Sequence, residues 1–254
     1  MSVLRTDGLA RDFGGVRAVD GLTFEIEAGA VHSIIGPNGA GKTTLLNLLT
    51  GIYAPSAGRI YFGERDLTGC APHEFAAHGI ARTFQNLQVF LNMSTLENVM
   101  VGRHLRERRG FLDALLHTPR LAAGERACRA EARELLALVG LEAWADAPSD
   151  ALPYGALKRL EIARALAARP QLLLLDEPAA GLNPTETMEI HALIAKLAGG
   201  GITVVLVEHN MRLVMGVSDR ILVLDYGRRL AEGAPETVRN DPQVIEAYLG
   251  AETL

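Results

Sequence analysis

The stretch Gly36-Pro-Asn-Gly-Ala-Gly-Lys42-Thr43 constrains this chain more than any other. A short apolar run, Val31 to Ile35, leads into it, and Thr43 to Thr50 after it reads as a helix with Gly51 as its C-cap. A strand, a glycine loop and a helix at the spacing G-x-x-x-x-G-K-[ST] form a phosphate cradle. Gly36, Gly39 and Gly41 let the backbone curl so that successive amide hydrogens converge. The helix adds its positive N-terminal end. In this reading Lys42 reaches the β- and γ-phosphates, the Thr43 hydroxyl ligates Mg²⁺ and Thr44 donates to the α-phosphate. Pro37, Asn38 and Ala40 are the remaining members of the loop.

Two further apolar runs end in chemistry. Leu172 to Leu175 has the length of a buried strand and is followed by Asp176-Glu177. Ligands gather at the carboxyl ends of parallel strands, so Asp176 is placed to hold Mg²⁺ through water. The metal needs only one acid there, which leaves Glu177 to polarise an attacking water. The run Ile202 to Val207 is followed by His209, at the same edge and in reach of a γ-phosphate. Gln85, after Arg82-Thr-Phe84, is uncharged yet can bind both Mg²⁺ and water, which suits a sensor of that phosphate. No Asn-Lys-x-Asp sequence is present, so a guanine-reading element is missing.

Around these motifs the chain divides by character. Val19 to Glu27 alternates as an antiparallel strand does, and Gly58 to Phe62 reads as another after a Pro55-to-Gly58 turn. Ser94-Thr-Leu-Glu97 has the spacing of a capping box, and Glu125 to Val139 reads as an amphipathic helix stopped by Gly140. Strands and helices then alternate through Leu172 to Leu224, the pattern of a parallel sheet with crossover helices. The expected fold class is therefore α/β: a P-loop NTPase core of mixed β-sheet with crossover helices, an N-terminal antiparallel β subdomain and an inserted α-helical subdomain. The expectation is one domain over 1–254, with 1–90 and 150–254 as the core and about 91–149 as the helical part.

With 254 residues the chain can bury a substantial core. Its formal charge of −5 disfavours nucleic acid as a partner. Cys70 and Cys128 fit neither a metal spacing nor a disulfide framework. No apolar stretch has the length of a membrane span and no signal peptide is read at the N-terminus, so a cytoplasmic protein is expected, one that would dock onto other chains' helices if it served a membrane.

The ordered set resembles the ATP-binding cassette ATPases: Walker A at Gly36 to Thr44, the Q-loop at Gln85, a signature around Leu152 to Ala156, Walker B at Leu172 to Glu177, the D-loop at Ala180 to Asn183 and the switch histidine at His209. Within that family, Ala81-Arg-Thr-Phe-Gln85, Tyr154-Gly155 with Arg159 to Arg164, Asp176 to Pro184 and Val244 to Gly250 look like the ATPases of branched-chain amino acid uptake systems. Cassettes for amides, urea or aromatic acids share much of this. Lipid or polysaccharide export, and a non-transport role on nucleic acid or the ribosome, are the other readings.

The resemblance implies ATP and Mg²⁺ as cofactors, with Phe13 stacked on adenine, Thr43, Gln85 and Asp176 as metal ligands, and Glu177, His209 and Gln85 as the catalytic set. It implies that Tyr154, Gly155 and Ala156 present backbone amides to nucleotide on a second ATPase subunit. It also implies two permease subunits, a binding protein outside the membrane, and a place on the cytoplasmic face of the inner membrane. Four departures stand out, the first being Tyr154 in place of a signature glycine, a change the resembling subfamily tolerates. Pro153 replaces the signature serine and has no amide hydrogen, Ala156 replaces a glutamine, and Asn183 replaces the D-loop aspartate. Phe90 and Leu91 are candidate permease contacts, and Arg103 to Arg109 is a basic run that reads as a solvated helix end or as a contact with anionic lipid.

Overall fold

The structure, a computed structural model, describes residues 2–106 and 119–251. Three strands set its centre: β3 (Val31–Ile35), β7 (Leu172–Asp176) and β8 (Thr203–Val207) are buried along their whole length. Strands buried on both faces read as continuous apolar runs and belong in the middle of a parallel sheet. They lie in a six-stranded sheet of order β10-β9-β3-β8-β7-β6, with β6 (Ile80–Arg82) at one edge and β9 (Arg220–Asp225) and β10 (Arg228–Gly233) at the other. All neighbours are parallel except the β9–β10 hairpin.

A second, antiparallel sheet of order β2-β1-β4-β5 is built from β1 (Ser2–Phe13), β2 (Val16–Glu27), β4 (Ala57–Phe62) and β5 (Arg65–Asp66). Here Leu22, Phe24 and Ile26 alternate with exposed neighbours, as a sheet with one wet face requires. The two faces of the parallel sheet separate by residue parity. Ile34, Leu172, Leu174, Val205, Val207, Leu222 and Leu224 pack with the antiparallel sheet and with α1 (Lys42–Leu48). Ile35, Ile221 and Val223 pack instead with Val214 of α7 (Met211–Val217), Val238 of α8 (Pro235–Arg239) and Val244 of α9 (Pro242–Ala251).

The other helices are α2 (Pro72–Ala77), α3 (Thr95–Gly102), α4 (Pro119–Leu138), α5 (Tyr154–Leu166) and α6 (Pro184–Gly199). Capping starts two of them. Ser94 accepts from Glu97 N while Glu97 reaches back to Ser94 N, and Asn183 and Glu186 repeat the arrangement before Pro184. Asn183 therefore has an observed structural task as the N-cap of α6.

Backbone packing divides the chain into two compact units, Met1–Arg82 with Gln171–Leu254, and Thr83–Pro170. The first holds both sheets. The second is helical, with α3 and α4 packed on α5. Its basic run is not simply solvated: Arg103 and Arg106 both bind the half-buried Glu131 carboxylate, at 3.0 and 2.9 Å. Positions 107–109 lie outside the described residues.

The candidate nucleotide site

The parallel sheet aligns three strand ends. Ile34 pairs with Val207, and Val207 pairs with Asp176, so the residues following β3, β8 and β7 emerge along one edge. The glycine loop, the Glu208-His209 pair and the Asp176-Glu177 pair are brought together by that register alone.

In the loop, Gly36 and Gly41 have φ of 154° and 99°. A side chain at Gly36 would strike the Leu224 carbonyl oxygen, and one at Gly41 the Ala18 carbonyl oxygen. Gly41→Ala is accordingly expected to cost on the order of 1–3 kcal/mol in strain and to distort the cradle. Thermal unfolding together with ATP titration checks this, and unchanged affinity would show the loop to be more tolerant. Lys42 is buried and bends back over the loop, donating from Nζ to the carbonyls of Gly36 (2.7 Å) and Pro37 (2.9 Å). Burial holds its ammonium below the usual lysine range, opposed by the carboxylates of Glu177 and Asp176. Thr43 is exposed and Thr44 half-buried on the first turn of α1.

Asp176 is buried, and its Oδ2 accepts from Arg82 at 2.8 Å, both side chains being 5% exposed. Arg82 also donates to Asn47 Oδ1 (2.6 Å) on α1. This clamp between two strand ends and the loop's own helix was not foreseen. Arg82 stood in view only as a residue before Gln85, and no local pattern marks an arginine as buried.

Glu177 is one of three non-glycine residues with positive φ among those described, at 49°. Its amide donates to the Val207 carbonyl at 2.8 Å, and its Oε1 lies 2.7 Å from His209 Nε2. At that distance the imidazole holds the carboxylate in a fixed direction, as a group that takes a proton from water requires. Asn210 caps α7 by accepting from Arg212 and Leu213, which anchors the loop after His209.

Phe13 ends β1 and is 38% exposed. Its ring meets Tyr53 edge-on at 5.2 Å, and the Arg11 guanidinium lies 4.7 Å from its centroid. Phe13 thus presents an aromatic surface already braced by a cation.

Gln85 and Tyr154 to Ala156 belong to the helical unit. There α5 grips the Gln85 segment with residues on one face. Lys158 donates to the Gln85 carbonyl (3.2 Å), Glu161 accepts from the Phe84 amide (3.2 Å), and Arg164 donates to the Gln88 carbonyl. Burial pushes the Glu161 carboxyl up, while the Phe84 amide and the Lys158 charge oppose it. α5 starts at Tyr154 with Pro153 as N-cap; Gly155 and Ala156 are buried and Tyr154 is exposed. The Ala156 amide donates to the Pro153 carbonyl at 2.9 Å. Phe90 and Leu91 are exposed, and buried Asn98 holds the Phe90 backbone by two hydrogen bonds of 2.9 Å.

Among the described residues no group of three or more His, Cys, Asp or Glu side chains gathers as a metal site. The oxygen donors at this edge instead suit a hard ion that is held by one carboxylate, a hydroxyl and phosphate, which is how Mg²⁺ binds.

A phosphate loop on the central strand, with a carboxylate pair and a histidine at the neighbouring strand ends, defines a nucleotide-hydrolysing P-loop protein. The chain belongs to the ATP-binding cassette family: the ABC transporter family model matches residues 19–180, and the model described as "Branched-chain amino acid ATP-binding cassette transporter" matches 228–253. It is an ABC-type ATPase.

Among its relatives, the high-affinity branched-chain amino acid transport ATP-binding protein BraF of Pseudomonas aeruginosa is 46% identical over 98% of both chains. LivG of Escherichia coli K12, named for the same transport, is 44% identical over 98% of both. A solved nucleotide-free ATP-binding cassette from an ABC transporter superposes with a TM-score of 0.85 at 34% identity, covering 98% of this chain and 99% of its own. A dimeric bacterial ABC transporter cassette superposes at 0.78 with 26% identity, covering 91% and 98%. Among the described residues no helix is long and apolar enough to cross a membrane.

Proposed function

We propose that this chain is the ATP-hydrolysing subunit of an importer for branched-chain amino acids. The observation that carries the substrate class is the 46% identity, over nearly the full length of both chains, to a relative named for that transport.

In the proposed cycle adenine stacks on Phe13 and the phosphates lie on residues 36–44, with Lys42 exchanging its loop carbonyls for phosphate oxygens. Thr43, Asp176 and, in the ATP-loaded state, Gln85 would hold Mg²⁺, which would neutralise charge developing on the transferred phosphoryl group. Glu177 takes the proton of the attacking water. His209 keeps that carboxylate aimed and contacts the γ-phosphate.

The helix start at Tyr154, Gly155 and Ala156 faces the nucleotide held by a second cassette subunit, identical or different, so that two chains complete each other's sites. With Pro153 unable to donate, that contribution rests on backbone dipole and on the Tyr154 and Gly155 amides. Hydrolysis removes the γ-phosphate contact and reopens the pair. The permease subunits dock on the helical unit near Phe90 and Leu91, at the cytoplasmic face of the inner membrane, and a binding protein on the far side delivers substrate.

The test is uptake in the organism that encodes the chain. Deleting its gene should lower uptake of labelled leucine, isoleucine and valine by about tenfold or more, with restoration by the wild type and not by a hydrolysis-dead variant. Loss of urea or amide uptake in their place would reassign the substrate.

A further inference from the structure

We propose that Glu208 is a positioning residue for hydrolysis, its buried carboxylate tying the loop that carries His209 to the turn that carries Glu177. The proposal deepens the hydrolytic reading above and rests on it.

Glu208 follows the last residue of β8 and is 4% exposed. Its Oε1 accepts from the Ala179 amide at 2.8 Å. Its Oε2 accepts from the amides of His209 at 3.0 Å and Asn210 at 3.3 Å. A carboxylate this deep is tolerated only where donors surround it, and here every donor is backbone. One oxygen faces the turn after Glu177 and the other faces the loop of His209.

The neighbours complete a pattern. Val207 accepts the Glu177 amide with its carbonyl, Glu208 accepts the Ala179 amide with its carboxylate, and His209 meets the Glu177 carboxylate with its imidazole. Three consecutive residues thus grip the 177–179 turn with three different groups. The positive φ of Glu177 needs such support, because a strained backbone persists only where its surroundings over-determine it. The 2.7 Å spacing between Glu177 and His209 is set by two loops, and Glu208 is the side chain that joins them. Its carboxylate is taken up by backbone amides of these two loops, so it acts through the pair.

Glu208→Gln is the informative change. A glutamine keeps the shape but has one acceptor oxygen, and its NH₂ must face an amide hydrogen on one side. The purified full chain would be compared with the variant in three ways: maximal rate of phosphate release from Mg²⁺–ATP, affinity for a fluorescent ATP analogue, and amide hydrogen exchange by mass spectrometry.

The maximal rate is expected to fall about tenfold or more while affinity stays within about twofold. Exchange in peptides covering 177–183 and 208–213 is expected to rise about tenfold, with 42–50 unchanged. Retained rate and retained exchange would overturn the proposal. So would a parallel loss of affinity and rate with faster exchange across 42–50, which would make Glu208 a general stabiliser. If Glu208→Gln does not fold, Glu208→Asp takes its place, keeping the charge on a shorter arm with the same split expected. If the wild-type chain itself releases no phosphate, the hydrolytic reading fails, and the exchange data still decide whether Glu208 ties the two loops.

Discussion

Glu177→Gln is expected to lower the maximal rate of ATP hydrolysis by about 10²–10⁴-fold while ATP still binds, because it removes the proposed base and little else. The amide has the volume of the acid and can still meet His209 Nε2 at the observed 2.7 Å. The Glu177 backbone, with φ of 49° and its amide on the Val207 carbonyl, asks nothing of the side chain's charge. What disappears is a group that can take a proton from water. In the proposed cycle reopening is coupled to loss of the γ-phosphate, so the variant should also accumulate as an ATP-bound pair of chains. Phosphate release and size-exclusion chromatography with Mg²⁺–ATP read the two effects separately. A variant that hydrolyses at the wild-type rate would remove Glu177 from the mechanism.

The second large effect is expected at Arg82, through stability. Its guanidinium and the Asp176 carboxylate form an ion pair at 2.8 Å with both side chains 5% exposed. Replacing one member of such a pair by an apolar residue takes away the hydrogen-bonded counter-charge of the other, which costs about 3–5 kcal/mol. Arg82→Leu also strips Asn47 of the donor that reaches it from β6. For a chain of this size the loss corresponds to a drop in Tm of roughly 6–20 °C. The double variant Arg82→Leu with Asp176→Asn should recover part of it, since the carboxylate that Arg82 paired with is then neutral. Circular dichroism melts of the three proteins decide this; equal Tm values for wild type and Arg82→Leu would show the pair to be energetically neutral.

Much of this architecture was legible because its signals are local. The runs Val31–Ile35, Leu172–Asp176 and Thr203–Val207 read as buried strands, and they lead into the glycine loop, the Asp176-Glu177 pair and His209. Ser94 announced a helix start, whereas Gly51, read as the C-cap of a helix over 43–50, lies two residues past the observed cap, Leu49, in the turn that follows at φ of 71°. Strand β1 was not read: Arg5, Asp7, Gly8 and Arg11 break its apolar pattern, and β2 and β4 on either side supply the pairing that fixes it. β6 is three residues long and owes its existence to β7. In the site, the loop and the carboxylate pair lie within short motifs. Arg82 and Glu208 escaped because their roles depend on partners 94 and 29 residues away. A charged residue directly after the apolar run ending at Val207 was the one available hint for Glu208.

Steady-state ATP turnover per chain, measured against chain concentration, tests the proposed hydrolysis by facing subunits most directly. Turnover per chain should climb with concentration as paired sites assemble and should vanish at every concentration in Glu177→Gln. Turnover per chain that is constant over the whole range and survives Glu177→Gln would contradict it.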